Sequence, residues 1–382
     1  MVLEVCQIIF DNPDPVYYAG RTISGKLLVR NGSMETAVRV IYIEIRGVGT
    51  VKWIVTKDMR KRNARTNRYE TQTVTTEHTN QETYVGEKIY VFQGGCDDAL
   101  ESGEREFEFN IILPQDIPSS FESELGQIRY TVSAIVETPW TTDQEAIRTI
   151  TVVNPIDLNE DPQLAELISI HKTRSFRSLF WTSGTVKVNL SLPAGGAVPG
   201  ETLLPTLDIE NLSRVHISNI EMSFKRRVVY KASDDNKNTV LRTITSKNLG
   251  HIHSRQSKMF QEEPVHIPVF LASNLKNCKI MDLDYFLEVN FIPPGFHFRF
   301  NVKVPVVLGT VPLRRSSSDI GSPPIEPNYP PIGWNISSAP ALSASADEVP
   351  SYSDLPPPTY EESVFEDSAA SAPDNDTEET ED

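Results

Sequence analysis

Through most of the first 312 residues, apolar and polar side chains alternate at every second position, the period of a strand with one buried face. In "EFEFNIILP", Phe107, Phe109, Ile111 and Leu113 point one way, with Glu106, Glu108 and Asn110 between them. Ile128, Tyr130, Val132, Ala134 and Val136 repeat the pattern in "QIRYTVSAIVE", as do Val186, Val188, Leu190 and Leu192 in "TVKVNLSL". The longest case is "FHFRFNVKVPVVLG", where Phe296, Phe298, Phe300, Val302, Val304, Val306 and Leu308 share a face. One apolar and one polar face per strand predict antiparallel sheets buried on a single side. Pro, Gly and Asn turns separate the runs. A single helical turn is predicted in "DPQLAELI", with Asp161 as cap and Pro162 at the first helical position. Its Leu164, Leu167 and Ile168 are helically spaced, although a linker packed on a sheet places them equally well. The expected fold is all-β, with two sandwiches.

The two halves also match each other. "GRTISGKLLVRNGS" (20–33) and "GETLLPTLDIENLS" (200–213) align without gaps: Gly20, Thr22, Asn31 and Ser33 face Gly200, Thr202, Asn211 and Ser213. Further on, "IRYTVSAIV" pairs with "LDYFLEVNF", Tyr130 opposite Tyr285. Two matches in the same order favour a duplicated unit.

Charge changes the picture at one end only. The 382 residues carry a formal charge of -16. From Ser316 to Asp382 there are 15 acidic and no basic residues, which leaves 36 basic and 37 acidic over 1–315, a balance of -1. A near-neutral body gives no argument for nucleic acid. The same 67 tail residues hold 11 of the 27 prolines and few large apolar side chains, a composition expected to stay disordered. Cys6, Cys96 and Cys278 are odd in number and far apart, with no CxxC, so neither a metal site nor a disulfide framework is expected. With no signal peptide and no apolar run near ~18 residues, the expectation is an intracellular protein.

The tail nevertheless carries a readable motif. In "SYSDLPPPTYEESVFEDS" three prolines fix φ and favour an extended polyproline II segment, the form that WW domains grip in aromatic-lined grooves. Pro357, Pro358 and Tyr360 are the readable residues of this PPxY sequence, and Thr359 is the free position. "VPSY" and "EPNY" upstream keep one proline and the tyrosine: Pro350 with Tyr352, and Pro327 with Tyr329. They are candidate secondary WW sites acting through effective concentration.

Two charged segments are further candidates. "KWIVTKDMRKRNARTNRYE" (52–70) contains Lys57, Arg60, Lys61, Arg62, Arg65 and Arg68 and is expected to span a loop. Anionic lipid, an acidic cargo segment or the protein's own tail suit it alike. "RRSSSD" sets Ser316, Ser317 and Ser318 behind two arginines as candidate phosphorylation sites at the body–tail junction. His251 and His253 lie on one strand face without a third ligand, and no nucleophile elbow or phosphate loop is present, so no catalytic residue, metal or cofactor is assigned.

"FDNPDPVYYAGRTISGKLLV", with Phe10, Val16, Tyr17, Gly20 and Gly25, resembles the opening signature of the α-arrestin (arrestin domain-containing) family. Arg21 stands where an acidic residue is common. "FEFNIILPQDIPSSFESELGQIRYTVSAIVE" and "IPPGFHFRFNVKVPVVLGTVPL" are similar to the family's N-domain and the end of its C-domain. The resemblance implies two tandem immunoglobulin-like antiparallel β-sandwiches without catalysis, here at 1–155 and 181–312. A linker is expected at 156–180 and a disordered acidic tail at 313–382. It further implies a cytoplasmic trafficking adaptor recruited to plasma membrane and endosomes. Such an adaptor would bring a WW-domain HECT-type ubiquitin ligase to membrane-protein cargo such as receptors or transporters. Within the same fold, a retromer- or β-arrestin-like sorting scaffold and a thioredoxin-binding redox regulator are the alternatives. The paired first-strand lysines of phosphate-sensing arrestins are missing from "LEVCQIIFDN", and Cys278 is the one candidate for a redox contact.

Overall fold

A computed structural model describes residues 4–31, 36–62, 69–94, 99–100, 102–139, 142–177, 182–269, 272–295 and 299–314. The first sandwich contains β1 (Val5–Phe10), β2 (Val16–Tyr18), β3 (Thr22–Asn31), β4 (Thr36–Ala37), β5 (Val40–Arg62) and β6 (Tyr69–Gln93). It is completed by β7 (Ala99–Leu100), β8 (Gly103–Ile112), β9 (Phe121–Glu122), β10 (Gly126–Glu137) and β11 (Gln144–Val153). One sheet runs β1-β3-β8 and the facing one β2-β11-β10-β5-β6, with β9 on β10.

The second sandwich contains β12 (Ile168–Arg177), β13 (Thr182–Leu192), β14 (Gly196–Ala197), β15 (Thr202–Leu203), β16 (Thr206–Asn211) and β17 (Ile217–Lys231). It continues with β18 (Lys237–Ile252), β19 (Ser257–Phe260), β20 (Val265–His266), β21 (Met281–Ile292) and β22 (Phe300–Leu308). Its sheets run β12-β13-β16-β19 and β14-β22-β21-β17-β18. The larger sheets therefore repeat one plan: a short parallel edge strand, then four antiparallel ones. Those two parallel pairs, β2 with β11 and β14 with β22, depart from the all-antiparallel expectation.

Alternation built these sheets. Ile128, Tyr130, Val132, Ala134 and Val136 are fully buried, as are Val186, Leu190 and Leu192, and β22 buries Phe300, Val302, Val304, Val306 and Leu308. Phe296 and Phe298 lie outside the described residues.

The repeat read from the sequence is also structural. Tyr130 and Tyr285 occupy corresponding central strands, and each hydroxyl donates to a carbonyl shortly upstream: Pro118 at 2.7 Å and Ala272 at 2.8 Å. Gly20 and Gly200 both adopt positive φ, 78° and 93°, where a side chain is disfavoured. Asn31 and Asn211 are both buried and donate to carbonyls.

Three sequence expectations are corrected. Most of the basic segment is strand rather than loop: β5 runs to Arg62 and β6 begins at Tyr69, and 63–68 lie outside the described residues. The predicted helix is two 3-10 turns, Leu158–Glu160 and Pro162–Ala165, although Asp161 does cap the second, accepting from Gln163 N. It stops because Ile168 already starts β12. Part of the stretch expected as linker is therefore an edge strand of the second sandwich, paired with β13.

Candidate functional site

Strand β10 covers β5 only from Val40 to Val51. Past that point β5 and β6 continue as a two-stranded ribbon, paired residue for residue from Lys52↔Thr79 to Arg62↔Tyr69. The root is fixed: Trp53 is buried and stacks on His78 with ring centroids 5.3 Å apart. Beyond it the ribbon enters solvent, with Thr56 to Arg60 exposed along β5. Lys52 pairs with Glu77 at 2.9 Å, and Thr73 donates to Asp58 at 2.7 Å. The candidate residues Lys57 and Arg60 are exposed here, and Lys61 and Arg62 end β5. Arg65 and Arg68 lie outside the described residues, as do Ser316, Ser317, Ser318, Pro327, Tyr329, Pro350, Tyr352, Pro357, Pro358 and Tyr360.

At the ribbon's root the two sandwiches meet. Tyr84 Oη donates to Cys278 Sγ at 3.2 Å, Lys279 N to Glu82 Oε2 at 2.9 Å, and Asn80 Nδ2 to Lys231 O at 3.1 Å. Arg242 Nε donates to Glu124 Oε1 at 2.7 Å, a hydrogen bond that holds the Glu124 carboxyl below the usual range. A Cβ on Gly126 would fall 2.6 Å from Met281 Sδ and 3.0 Å from Thr50 O, so glycine lets the two sandwiches approach closely here. Sequence reasoning missed this seam. Its partners lie up to 197 residues apart and no local pattern marks them. Cys278, the redox candidate, is half-buried within the seam. Burial pushes its thiol pKa up, which disfavours the reactive thiolate.

The outer face of the second sandwich holds another missed network. Glu288 is buried on β21, and its carboxylate accepts from Lys225 Nζ, Lys303 Nζ (3.0 Å), Asn301 Nδ2 (2.8 Å) and Asn290 Nδ2 (3.2 Å). Burial works to raise its pKa, but hydrogen bonds from Lys225, Lys303 and Asn290 outweigh it and hold the carboxyl below the usual range. His251 and His253 do share a face, rings 4.8 Å apart. Among the described residues no group of three His, Cys, Asp or Glu is placed to hold a metal, and no helix is long and apolar enough to cross a membrane.

The model of the arrestin (or S-antigen) N-terminal domain matches residues 6–159, and that of the C-terminal domain matches 182–313. The chain belongs to the arrestin family. Its relatives include Arrestin domain-containing protein 17 of Caenorhabditis elegans, 28% identical over 81% of this chain and 71% of that one. Arrestin domain-containing protein 4 of Mus musculus is 28% identical over 81% of this chain and 73% of its own. Arrestin domain-containing protein 1 of Homo sapiens is 24% identical over 86% of this chain and 72% of its own. These are α-arrestins, and arrestins as a family are generally adaptors without catalysis.

Proposed function

We propose that this arrestin is a trafficking adaptor: its sandwiches engage a membrane-protein cargo, and its tail recruits a WW-domain HECT-type ubiquitin ligase. The observation that carries the reading is a PPxY sequence, Pro357, Pro358 and Tyr360, in the segment that follows two matched arrestin domains. The ligase performs the chemistry, and this chain raises the local concentration of cargo lysines beside it. Ubiquitin on the cargo then directs endocytosis and protein transport, which places the protein in the cytoplasm with recruitment to plasma membrane and endosomes. Tyr352 and Tyr329, each with one proline, act as weaker second holds. Tyr352 lies at most ~25 Å from Tyr360 at polyproline rise, so those two compete for one WW groove. Phosphate on Ser316 to Ser318 adds charge beside Arg314, whose backbone N–H is held by Asn159 at 2.8 Å.

Titration of the full chain with an isolated WW tandem tests this. Tyr360→Ala should weaken binding at least about tenfold, because the ring fills the groove, whereas Thr359→Ala should change little. In cells, Tyr360→Ala should abolish cargo ubiquitination without changing cargo binding. Unchanged WW affinity in Tyr360→Ala removes this motif as the recruitment site. The redox alternative gains nothing from the seam, where Cys278 is half-buried and hydrogen-bonded by Tyr84.

A further inference from the structure

The β5–β6 ribbon concentrates charge that its own strands do not neutralise. Residues 52–79 hold seven basic side chains against Asp58, Glu70 and Glu77, a balance of +4, so the rest of 1–315 carries -5. Lys52 is taken by Glu77, and Asp58 by Thr73. Lys57 and Arg60 are exposed and have no ion-pair partner among the described residues.

Geometry keeps this charge apart from the acidic body. From Ile54 to Arg62 the ribbon extends about 30 Å at ~3.3 Å per residue. Screening length in physiological salt is ~8 Å, so the body's negative charge scarcely reaches the tip.

The ribbon is also amphipathic. Residues paired directly across the strands share a face, which aligns Trp53 and His78, Val55 and Thr76, Lys57 and Val74, then Met59 and Gln72. Trp53 is sunk at the root, Val55 and Val74 are half-buried, and Met59 is 53% exposed. Arg60 points from the opposite face. Cations on both faces of a narrow ribbon, with an apolar side chain between them, form no groove for a folded ligand. A fluid anionic plane needs none.

We propose that the β5–β6 ribbon docks this protein onto the anionic surface of a phospholipid bilayer. Lys57 and Arg60 lie among the headgroups and Met59 enters the interfacial layer, which leaves the root of the ribbon about 10 Å from the headgroups at ~3.3 Å per residue. The contact is separate from ligase recruitment and uses none of the tail residues.

Co-sedimentation of the full chain with vesicles tests it. The probes are phosphatidylcholine alone and phosphatidylcholine with about 30 mol % phosphatidylserine, each at about 0.15 M and 0.5 M salt. Binding is expected only to the anionic vesicles, and it should weaken with salt. The variant Lys57→Gln/Arg60→Gln should bind about 25-fold less tightly, about fivefold per cation. Arg214→Gln/Lys258→Gln, the same charge change on exposed positions elsewhere, should bind like the parent. Both variants change exposed side chains, so matching thermal unfolding curves confirm that each is folded. Equal binding to neutral vesicles, an unaffected ribbon variant, or an equal loss in the control variant overturns the proposal. Capture of a soluble poly-glutamate peptide without binding to the anionic vesicles overturns it too and assigns the ribbon to acidic protein segments.

Discussion

Replacing Glu288 with glutamine should cost the second sandwich about 3 kcal/mol at neutral pH. Shape is nearly conserved, so the change isolates charge. Glu288 is 4% exposed at its side chain and neutralises two lysines of unequal exposure, Lys225 at 15% and Lys303 at 47%. Lys303 regains water when the carboxylate is lost, but Lys225 does not. A stranded buried charge typically costs ~3–5 kcal/mol, and the remaining amide hydrogen bonds offset part of it. For a sandwich of this size each kcal/mol moves Tm by about 2–4 °C, so calorimetry should record a fall of about 6–12 °C. Lys225→Met in the same chain removes the stranded ammonium and should recover about half of the loss. The pH dependence follows from the lowered pKa of Glu288. Its stabilisation is fully present above the unfolded value of ~4.3 and is lost as pH falls through the folded one. The gap between parent and Glu288→Gln should therefore be flat near neutrality and close in acid. A neutral-pH difference under about 0.5 kcal/mol, or a gap that already closes above the unfolded value of ~4.3, refutes the reasoning.

Two further outcomes follow from the repeat and the seam. Tyr130→Phe and Tyr285→Phe each leave a carbonyl without its donor, Pro118 O and Ala272 O, and should destabilise by a similar ~1–1.5 kcal/mol in urea titrations. A cost at only one of them breaks the equivalence of the two tyrosines. Cys278 should react slowly with alkylating reagents up to pH ~8.5, and Tyr84→Ala should speed its labelling at least about tenfold by opening the seam. Mass spectrometry of the labelled peptide measures both rates.

Much of the architecture was legible because a half-buried strand writes its two faces into the sequence. Tyr130, Tyr285 and the glycines at 20 and 200 revealed the repeat for the same reason: burial and positive φ tolerate few residues. The ribbon reads as a loop because both of its faces meet solvent from Thr56 to Arg60. Thr71, Thr73, Thr75 and Thr76 supply strand propensity without an apolar alternation that would expose it. Strand β12 was hidden likewise, since His171, Lys172 and Thr173 are all exposed. The Glu288 network and the seam were illegible for another reason. Their members come from separate strands or separate sandwiches, and only the fold brings them together.

The junction at 156–160 has a mechanical consequence. Thr310 N donates to Ile156 O at 2.9 Å, Ile156 N to Thr310 Oγ1 at 2.8 Å, Asn159 Nδ2 to Pro312 O at 2.9 Å and Arg314 N to Asn159 Oδ1. The chain thus enters and leaves the second sandwich at one clasp. Tension applied to the chain beyond Arg314 passes from Arg314 through Asn159 directly into the linker. The second sandwich hangs off this load path as a closed loop. The clasp takes such a pull first, and its failure would shift the load onto the strands of the second sandwich and onto the seam.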